Sequence, residues 1–473
     1  MAADRTRFAA IFACAAALYL ATAHPRVFAA GNDASRFAQI ESLLDYGTAT
    51  IERSRYGTTV DRVELDGRVY SNKPPFLSFV GAALYWPLQA LTGWRFSNPD
   101  AEPSLVRWLT FLLVGLPAAL GVALFDRALA GRPSPDRALL TVGLAAGTLV
   151  FSFAGTLNPH VPAATLVLAA ALATRAGRPL SAGLAIGVAV AVDLLPGLGF
   201  VPFVALALAF EKDGRSARLL RFAAGLVPGF AGLLATNVAT TGSWRTPKLM
   251  PGAVDLSAQA GPSVAGVLLP DSWLYPVELL LGSHGLFVVS PILLLGAAGL
   301  WRATRSEAPR ERRFWRAMAA AMVAQFLGHA LLAGSYGGWS YGYRYLLPIQ
   351  PLLLFAGAHA LEAPRRRTVF AALLVPSVVF AALGAYHPWP PAFEQQGSGV
   401  PEAMMVKNPI GANAAAFAAR HAPDSGAAQW LGRRFVSRDE HLRQRYYLLF
   451  FASRGDRDGV QHFMSDPSGK TGP

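Results

Sequence analysis

Apolar runs close to the length of a bilayer crossing repeat along this chain, separated by short polar joints. They fall at residues 7–24, 105–129, 138–155, 161–174, 180–194, 196–210, 219–239, 284–301, 316–333, 345–361 and 369–386. A helical crossing takes roughly 20 apolar residues. Lipid offers no partner for free backbone groups, so each run is read as a helix. The pattern predicts an all-α polytopic membrane protein of eleven spans over residues 1–386, with a small outer tail over 387–473. The two runs flanking Asp193-Leu194-Leu195-Pro196-Gly197 read either as two short helices or as one broken helix. The first run is read as a retained span rather than a cleaved signal peptide, because His24, Pro25 and Arg26 and many further spans follow it.

Composition agrees. The chain is 53% hydrophobic and only 15% charged, against about 25% charged in soluble proteins, and its mean hydropathy is +0.34. A net charge of +13 raises nucleic acid as a partner, but the positions of the charges argue against it. Most Lys and Arg sit in short joints between apolar runs, where topology accounts for them. The single cysteine, Cys14, lies within an apolar run and excludes an internal disulfide or a Cys-rich metal site.

The basic joints alternate. Arg5 and Arg7 precede the first span. Arg132 and Arg137, then Arg175 and Arg178, then Lys212 to Arg221, then Arg302 to Arg316, then Arg365 to Arg367 fill every second joint. The joints at 156–160 and 334–343 hold no Lys or Arg. The positive-inside rule puts the first set in the cytoplasm, with the N-terminus inside and the C-terminus on the outer face of the cell membrane. This parity leaves no room for a crossing at residues 76–92, a run interrupted by Pro87. That run is read as a helix at the outer interface, with Tyr85 and Trp86 at headgroup depth. The first outer loop then covers residues 25–104. In the tail, RQRYYLLFF (residues 443–451) reads as a helix or strand resting on the membrane.

Chemistry is concentrated in the polar stretch 31–75 of that first loop. It carries Asp33 and Arg36 near its start, in GNDASRF, where Asn32, Asp33 or Ser35 suits a helix cap. It ends on Tyr70-Ser71-Asn72-Lys73-Pro74-Pro75. A late outer joint, GGWSYGYRYLLP at residues 337–348, brings Tyr343 and Arg344 to the start of a span. His160 and Asp193 also lie at span ends on the outer side, and a carboxylate at such a place is costly to desolvate.

Together these features resemble the GT-C fold glycosyltransferases, in particular the branch similar to protein O-mannosyltransferases and lipid A aminoarabinose transferases. Four features carry the resemblance: an acidic residue early in the first outer loop, the Tyr-x-x-Lys-Pro-Pro motif closing it, the helix after the polar stretch with Arg107, and the aromatic, Gly-rich joint at 337–348. The resemblance implies transfer of a sugar from a polyprenyl-phosphate donor to an acceptor hydroxyl of a glycan, lipid or protein on the outer face. The leaving lipid phosphate needs no proton, so one base suffices, and Asp33 is its candidate. Lys73 and Arg344, with Arg36, are candidates to hold the phosphate, since a guanidinium fork matches phosphate oxygens and Lys acts as a point charge. Tyr70, His160, Tyr343 and Asp193 are candidate substrate contacts. The second outer joint lacks the carboxylate many members carry, so a divalent metal is doubtful, and no cofactor is predicted. The competing reading is a polytopic transporter or a flippase for lipid-linked sugar, but transporters favour charges at mid-membrane, whereas this chain has few within its spans and its polar mass lies in an outer loop.

Overall fold

The computed structural model describes residues 2–28, 32–210, 214–256, 263–264, 267–268, 273–332, 340–361, 364–391 and 408–464. Helix dominates. α1 (Ala2–Thr22) leads to α2 (Asn32–Asp45), a small hairpin of β1 (Arg62–Leu65) and β2 (Arg68–Ser71), and α3 (Phe76–Thr92). Then come α4 (Glu102–Thr110) and α5 (Leu116–Ala128), joined without a break by a π-helical turn at Phe111–Gly115. α6 (Ser134–Ala146), α7 (Leu149–Ala154), α8 (His160–Arg175), α9 (Pro179–Val192), α10 (Leu194–Ala209) and α11 (Arg215–Thr241) follow. β3 (Val254–Asp255) adds to β1, giving the strand order β2-β1-β3, antiparallel throughout. The chain continues through α12 (Tyr275–Leu281), α13 (Leu286–Val289), α14 (Leu293–Ala303) and α15 (Pro309–Leu332). A 3₁₀ turn (Arg344–Ile349) enters α16 (Gln350–Ala356), and α17 (Pro364–Tyr386) is the last long apolar helix. Glu102–Ala128, Arg215–Thr241 and Arg365–Tyr386 are each long and apolar enough to cross a bilayer. Apart from its short strands the fold is helical, consistent with the all-α polytopic membrane class.

Several expected spans are interrupted, each for a local reason. Residues 138–155 divide between α6 and α7, where the Thr148 hydroxyl accepts the Val150 N–H and starts a new helix. Residues 284–301 divide at Ser290 and Pro291, and the pair Tyr275–Val289 and Leu293–Ala303 is bent by 103°. Proline cannot donate the missing hydrogen bond, so a bend at Pro291 is the physical outcome. Between α9 and α10 the backbone of Asp193 is extended, with φ −145° and ψ 98°, so the stretch forms two helices. Helix α3 packs against α2, where Gln89 donates to the Asp45 carboxylate at 2.8 Å and Gly81 lies against Ile40. Its Trp86 and Leu91 are exposed.

Two ends of the bundle differ in charge chemistry. At one end the buried Asp126 accepts from Arg7, Arg137 and Thr141, Arg367 pairs with Asp136, and Arg175 pairs with Glu311. The opposite end holds α2, the hairpin, His160 and Asp193.

The tail folds into α18 (Pro409–His421), α19 (Gly426–Phe435), α20 (Glu440–Arg454) and α21 (Arg457–Met464). Residues 443–451 lie within α20. Tyr446, Tyr447, Phe450 and Phe451 turn into a small core with Ala412, Ala415 and Ala416 rather than lying flat on lipid. The His387 ring ties this unit to α17, with Nε2 2.7 Å from the Ser453 hydroxyl.

The tightest helix contact joins α9 and α11. Gly183 and Gly187 face Gly225 and Gly229, so a Cβ at Gly187 would stand 2.7 Å from the Leu226 carbonyl oxygen. Small residues spaced by four let two backbones touch. Gly187→Ala is therefore expected to lower the unfolding midpoint in detergent, through overpacking of about 1–3 kcal/mol. An unchanged melting temperature would show that the pair can separate freely.

Candidate functional site

The site is built from the mouth of a hairpin. Asp66 and Gly67 sit at φ 51° and 70°, the left-handed pair a tight two-residue turn requires. The turn fixes the register, Arg62 opposite Ser71 and Leu65 opposite Arg68. The next residues outward, Asp61 and Asn72, then meet at the open end, with Lys73 just beyond. The Lys73 ammonium lies 2.9 Å from Asp61 Oδ1. From α2, the Ser35 hydroxyl donates to the Asp61 carbonyl at 2.6 Å and lies 2.7 Å from the Ser71 hydroxyl, which itself accepts the Lys73 N–H. Pro75 then caps α3. Burial pushes the Asp61 carboxyl up, but the Lys73 ammonium, with lesser help from Arg344 and Asn72, outweighs it and holds Asp61 below its ordinary value. Burial pulls the Lys73 ammonium down, opposed by Asp61.

Arg36 lies one turn into α2 and is 2% exposed. Its guanidinium donates to the carbonyl and side-chain oxygens of Asn32 at 3.1 and 2.8 Å, while its buried Nε has no partner. Burial pulls it down to about 10, against the opposing fields of Asp193 and Asp61, so it stays charged at neutral pH; Arg344 is a third charged neighbour. Arg344 opens the 3₁₀ turn, where Tyr343 N–H donates to the His284 carbonyl at 2.9 Å. Its guanidinium lies over Trp389 and Tyr345, 4.7 and 5.2 Å from the ring centres, and its buried Nε also lacks a partner. Trp389 is in turn fixed by its indole N–H donating to Thr156. Among the described residues, no carboxylate lies within ion-pair distance of either guanidinium.

His160 begins α8. Its Nδ1 is 2.6 Å from Asp193 Oδ2, and its buried Nε2 has no partner. The Tyr345 ring meets His160 edge-on at 5.4 Å and stacks on His329 at 5.2 Å. Tyr343 belongs to the same aromatic group and accepts from the Tyr275 hydroxyl.

Asp33 is buried in the first turn of α2. Its two oxygens accept the backbone N–H groups of Phe28 and Ala34, both at 3.0 Å. Burial drives its carboxyl up to about 7, against those bonds and the field of Arg36. Tyr70 lies apart. Opposite Val63 in the sheet, it packs with Leu65, Met250 and Ala253. The structure thus brings Arg36, Lys73, Arg344, His160 and Asp193 into one electrostatic neighbourhood, with Asp33 beside Arg36 and Tyr343 in the adjoining aromatic group. Residues 337–339 of the late aromatic joint lie outside the described residues. Asp61, His329 and Trp389 were not anticipated. The Asp66-Gly67 turn was the signal for Asp61, because counting back along the ladder sets it beside Asn72. Among the described residues, no three His, Cys, Asp or Glu side chains are arranged to hold a metal ion.

Two solved structures share this architecture along almost its whole length. One is ArnT from Cupriavidus metallidurans bound to undecaprenyl phosphate, with 16% identity, a TM-score of 0.50 and coverage of 96% of this chain and 77% of that one. The other is the same protein in the apo state, with 18% identity, a TM-score of 0.50 and coverage of 97% and 78%. The chain has the fold of ArnT. The resemblance to lipid A aminoarabinose transferases read from Asp33, the Lys73 motif and the Arg344 joint therefore holds at the level of fold. No protein-family model matches the chain. No curated protein matches it either.

Proposed function

We propose that this protein is a membrane glycosyltransferase, moving a sugar from a polyprenyl-phosphate donor to an acceptor hydroxyl at the outer face of the cell membrane by single displacement. The observation that carries this reading is the pair of buried guanidiniums, Arg36 and Arg344, beside Lys73, neither with a carboxylate at ion-pair distance among the described residues. An unpaired buried charge costs several kcal/mol, so such a cluster is a site prepared for an anion. ArnT, whose fold it shares, has been crystallised with undecaprenyl phosphate. In this reading the two guanidiniums and Lys73 hold the phosphodiester and stabilise the second negative charge that appears as the sugar leaves. Asp33 is the carboxylate the sequence offers as a base. With each oxygen accepting one backbone amide, it also fixes the start of α2 and so aims Arg36. In this reading the Arg7–Asp126–Arg137 end faces the cytoplasm, with eleven crossings and the C-terminal helices outside, and the alternation of basic joints supports it.

Undecaprenyl phosphate is expected to raise the melting temperature of the purified protein, and less so as salt is added. Given undecaprenyl-phosphate-linked sugars and an envelope lipid extract, the protein is expected to release undecaprenyl phosphate with the sugar transferred. Movement of the donor across vesicles with no release would instead favour a flippase.

A further inference from the structure

We propose that His160, held by Asp193, takes the proton of the acceptor hydroxyl. The inference rests on the glycosyltransferase reading and deepens it. A carboxylate only accepts hydrogen bonds, so the 2.6 Å contact to Asp193 Oδ2 puts the imidazole proton on Nδ1. The other nitrogen, Nε2, then presents a lone pair. It is buried, it has no partner among the described residues, and the whole side chain is 4% exposed. Leaving such a buried acceptor unmet is costly, and a substrate hydroxyl would relieve that cost.

The placement matches the chemistry. Asp193 stands in the extended break between α9 and α10, and α9 is held rigidly against α11 through Gly183 and Gly187. The ionisable groups that face His160 come from every element around it. They are Asp193, the guanidiniums of Arg36 on α2 and Arg344 on the 3₁₀ turn, His329 on α15, and the Tyr345 phenol. The phosphate-holding cations and the free nitrogen thus share one neighbourhood. Asp33, by contrast, already has both oxygens on backbone amides.

The step balances without any further reactant. The acceptor O–H bond breaks, with its proton passing to Nε2, as its oxygen bonds to the anomeric carbon. The bond from that carbon to the phosphate oxygen breaks, and its electron pair leaves with the lipid phosphate. The imidazolium, stabilised by Asp193, returns its proton to that phosphate as the product departs. His160 is then the catalytic residue and Asp193 a positioning residue.

The test uses purified full-length protein, with release of undecaprenyl phosphate from an undecaprenyl-phosphate-linked sugar as the readout. His160→Gln keeps an N–H toward Asp193 and removes the base. It is expected to lower kcat about 10³-fold, with the melting-temperature rise on adding undecaprenyl phosphate intact. Asp193→Asn is expected to move the acid limb of the kcat/KM profile to lower pH, since the imidazolium loses its carboxylate. It also keeps the test sharp if the His160 variant folds poorly. A kcat within threefold of wild type in His160→Gln overturns the proposal, as does an unmoved acid limb in Asp193→Asn. Wild-type protein that binds undecaprenyl phosphate yet transfers nothing strikes down the glycosyltransferase reading itself, and this proposal with it.

Discussion

Replacing Arg344 with methionine is expected to lower sugar transfer about 10²- to 10³-fold while leaving the ligand-free protein as stable as before or more so. The two effects separate because of what surrounds the guanidinium. It is buried, has no carboxylate partner among the described residues, and feels the like charges of Arg36 and Lys73. Truncating one partner of a buried charge pair costs 2–5 kcal/mol in the bound state, and each 1.36 kcal/mol is a factor of ten in rate. Without ligand, the same truncation removes a desolvated charge and two repulsions, set against its attraction to Asp61 and its contact with the Tyr345 hydroxyl. Methionine keeps bulk over Trp389 and Tyr345 to offset the lost cation–π contacts of about 0.5–2 kcal/mol. Lys73→Met should behave oppositely in stability, because it takes the ammonium away from the half-buried Asp61 carboxylate. Melting temperatures of the two variants, with and without undecaprenyl phosphate, decide the matter. If both variants melt alike and both retain the lipid-induced rise, the cluster is not an anion site.

Asp33 should make the protein less stable as pH rises toward neutrality. Its carboxyl is raised by burial from an ordinary 3.8 to about 7 in the folded state. The unfolded chain therefore loses this proton first, near pH 4, while the folded protein keeps it. The contribution is fully favourable below the unfolded value, declines between about pH 4 and pH 7, and levels off above the folded value. At 1.36 kcal/mol per pH unit the loss is roughly 4 kcal/mol. Asparagine cannot ionise, so Asp33→Asn should lack this slope, although it gives up one of the two backbone contacts at Phe28 and Ala34. Thermal unfolding of both proteins from pH 4.5 to 8 gives the comparison. A wild-type-minus-variant difference that stays flat across that range would mean Asp33 is ionised throughout.

These two residues, and Lys73, could be singled out in the sequence because each stands in an unusual local setting. Each is a charge at the edge of an apolar run or inside a short motif. The helices were legible for the same reason, since lipid enforces one rule on every apolar run. Other parts depended on contacts that no local pattern announces. Asp61 is one acid among several in a polar loop until the hairpin register sets it against Lys73. Trp389 and His329 come from distant stretches and meet Arg344 and Tyr345 only in three dimensions. The break before α14 was marked by Pro291, yet an apolar run containing a proline reads equally well as a kinked span. The tail misled because Tyr446, Tyr447, Phe450 and Phe451 suit a membrane surface as readily as the small alanine-rich core they fill.

The glycine contact between α9 and α11 bears on how the protein is made. Gly183 meets Phe222 and Gly225, and Gly187 meets Leu226 and Gly229, so the two helices run in the same direction. The helix between them in sequence must run back the other way before α11 can be laid alongside α9. A ribosome delivering segments in order therefore leaves α9 unmatched until both of its successors have been synthesised and threaded. The most intimate joint in this region is one of its later events during biogenesis, and a nascent chain stalled before residue 229 would lack it.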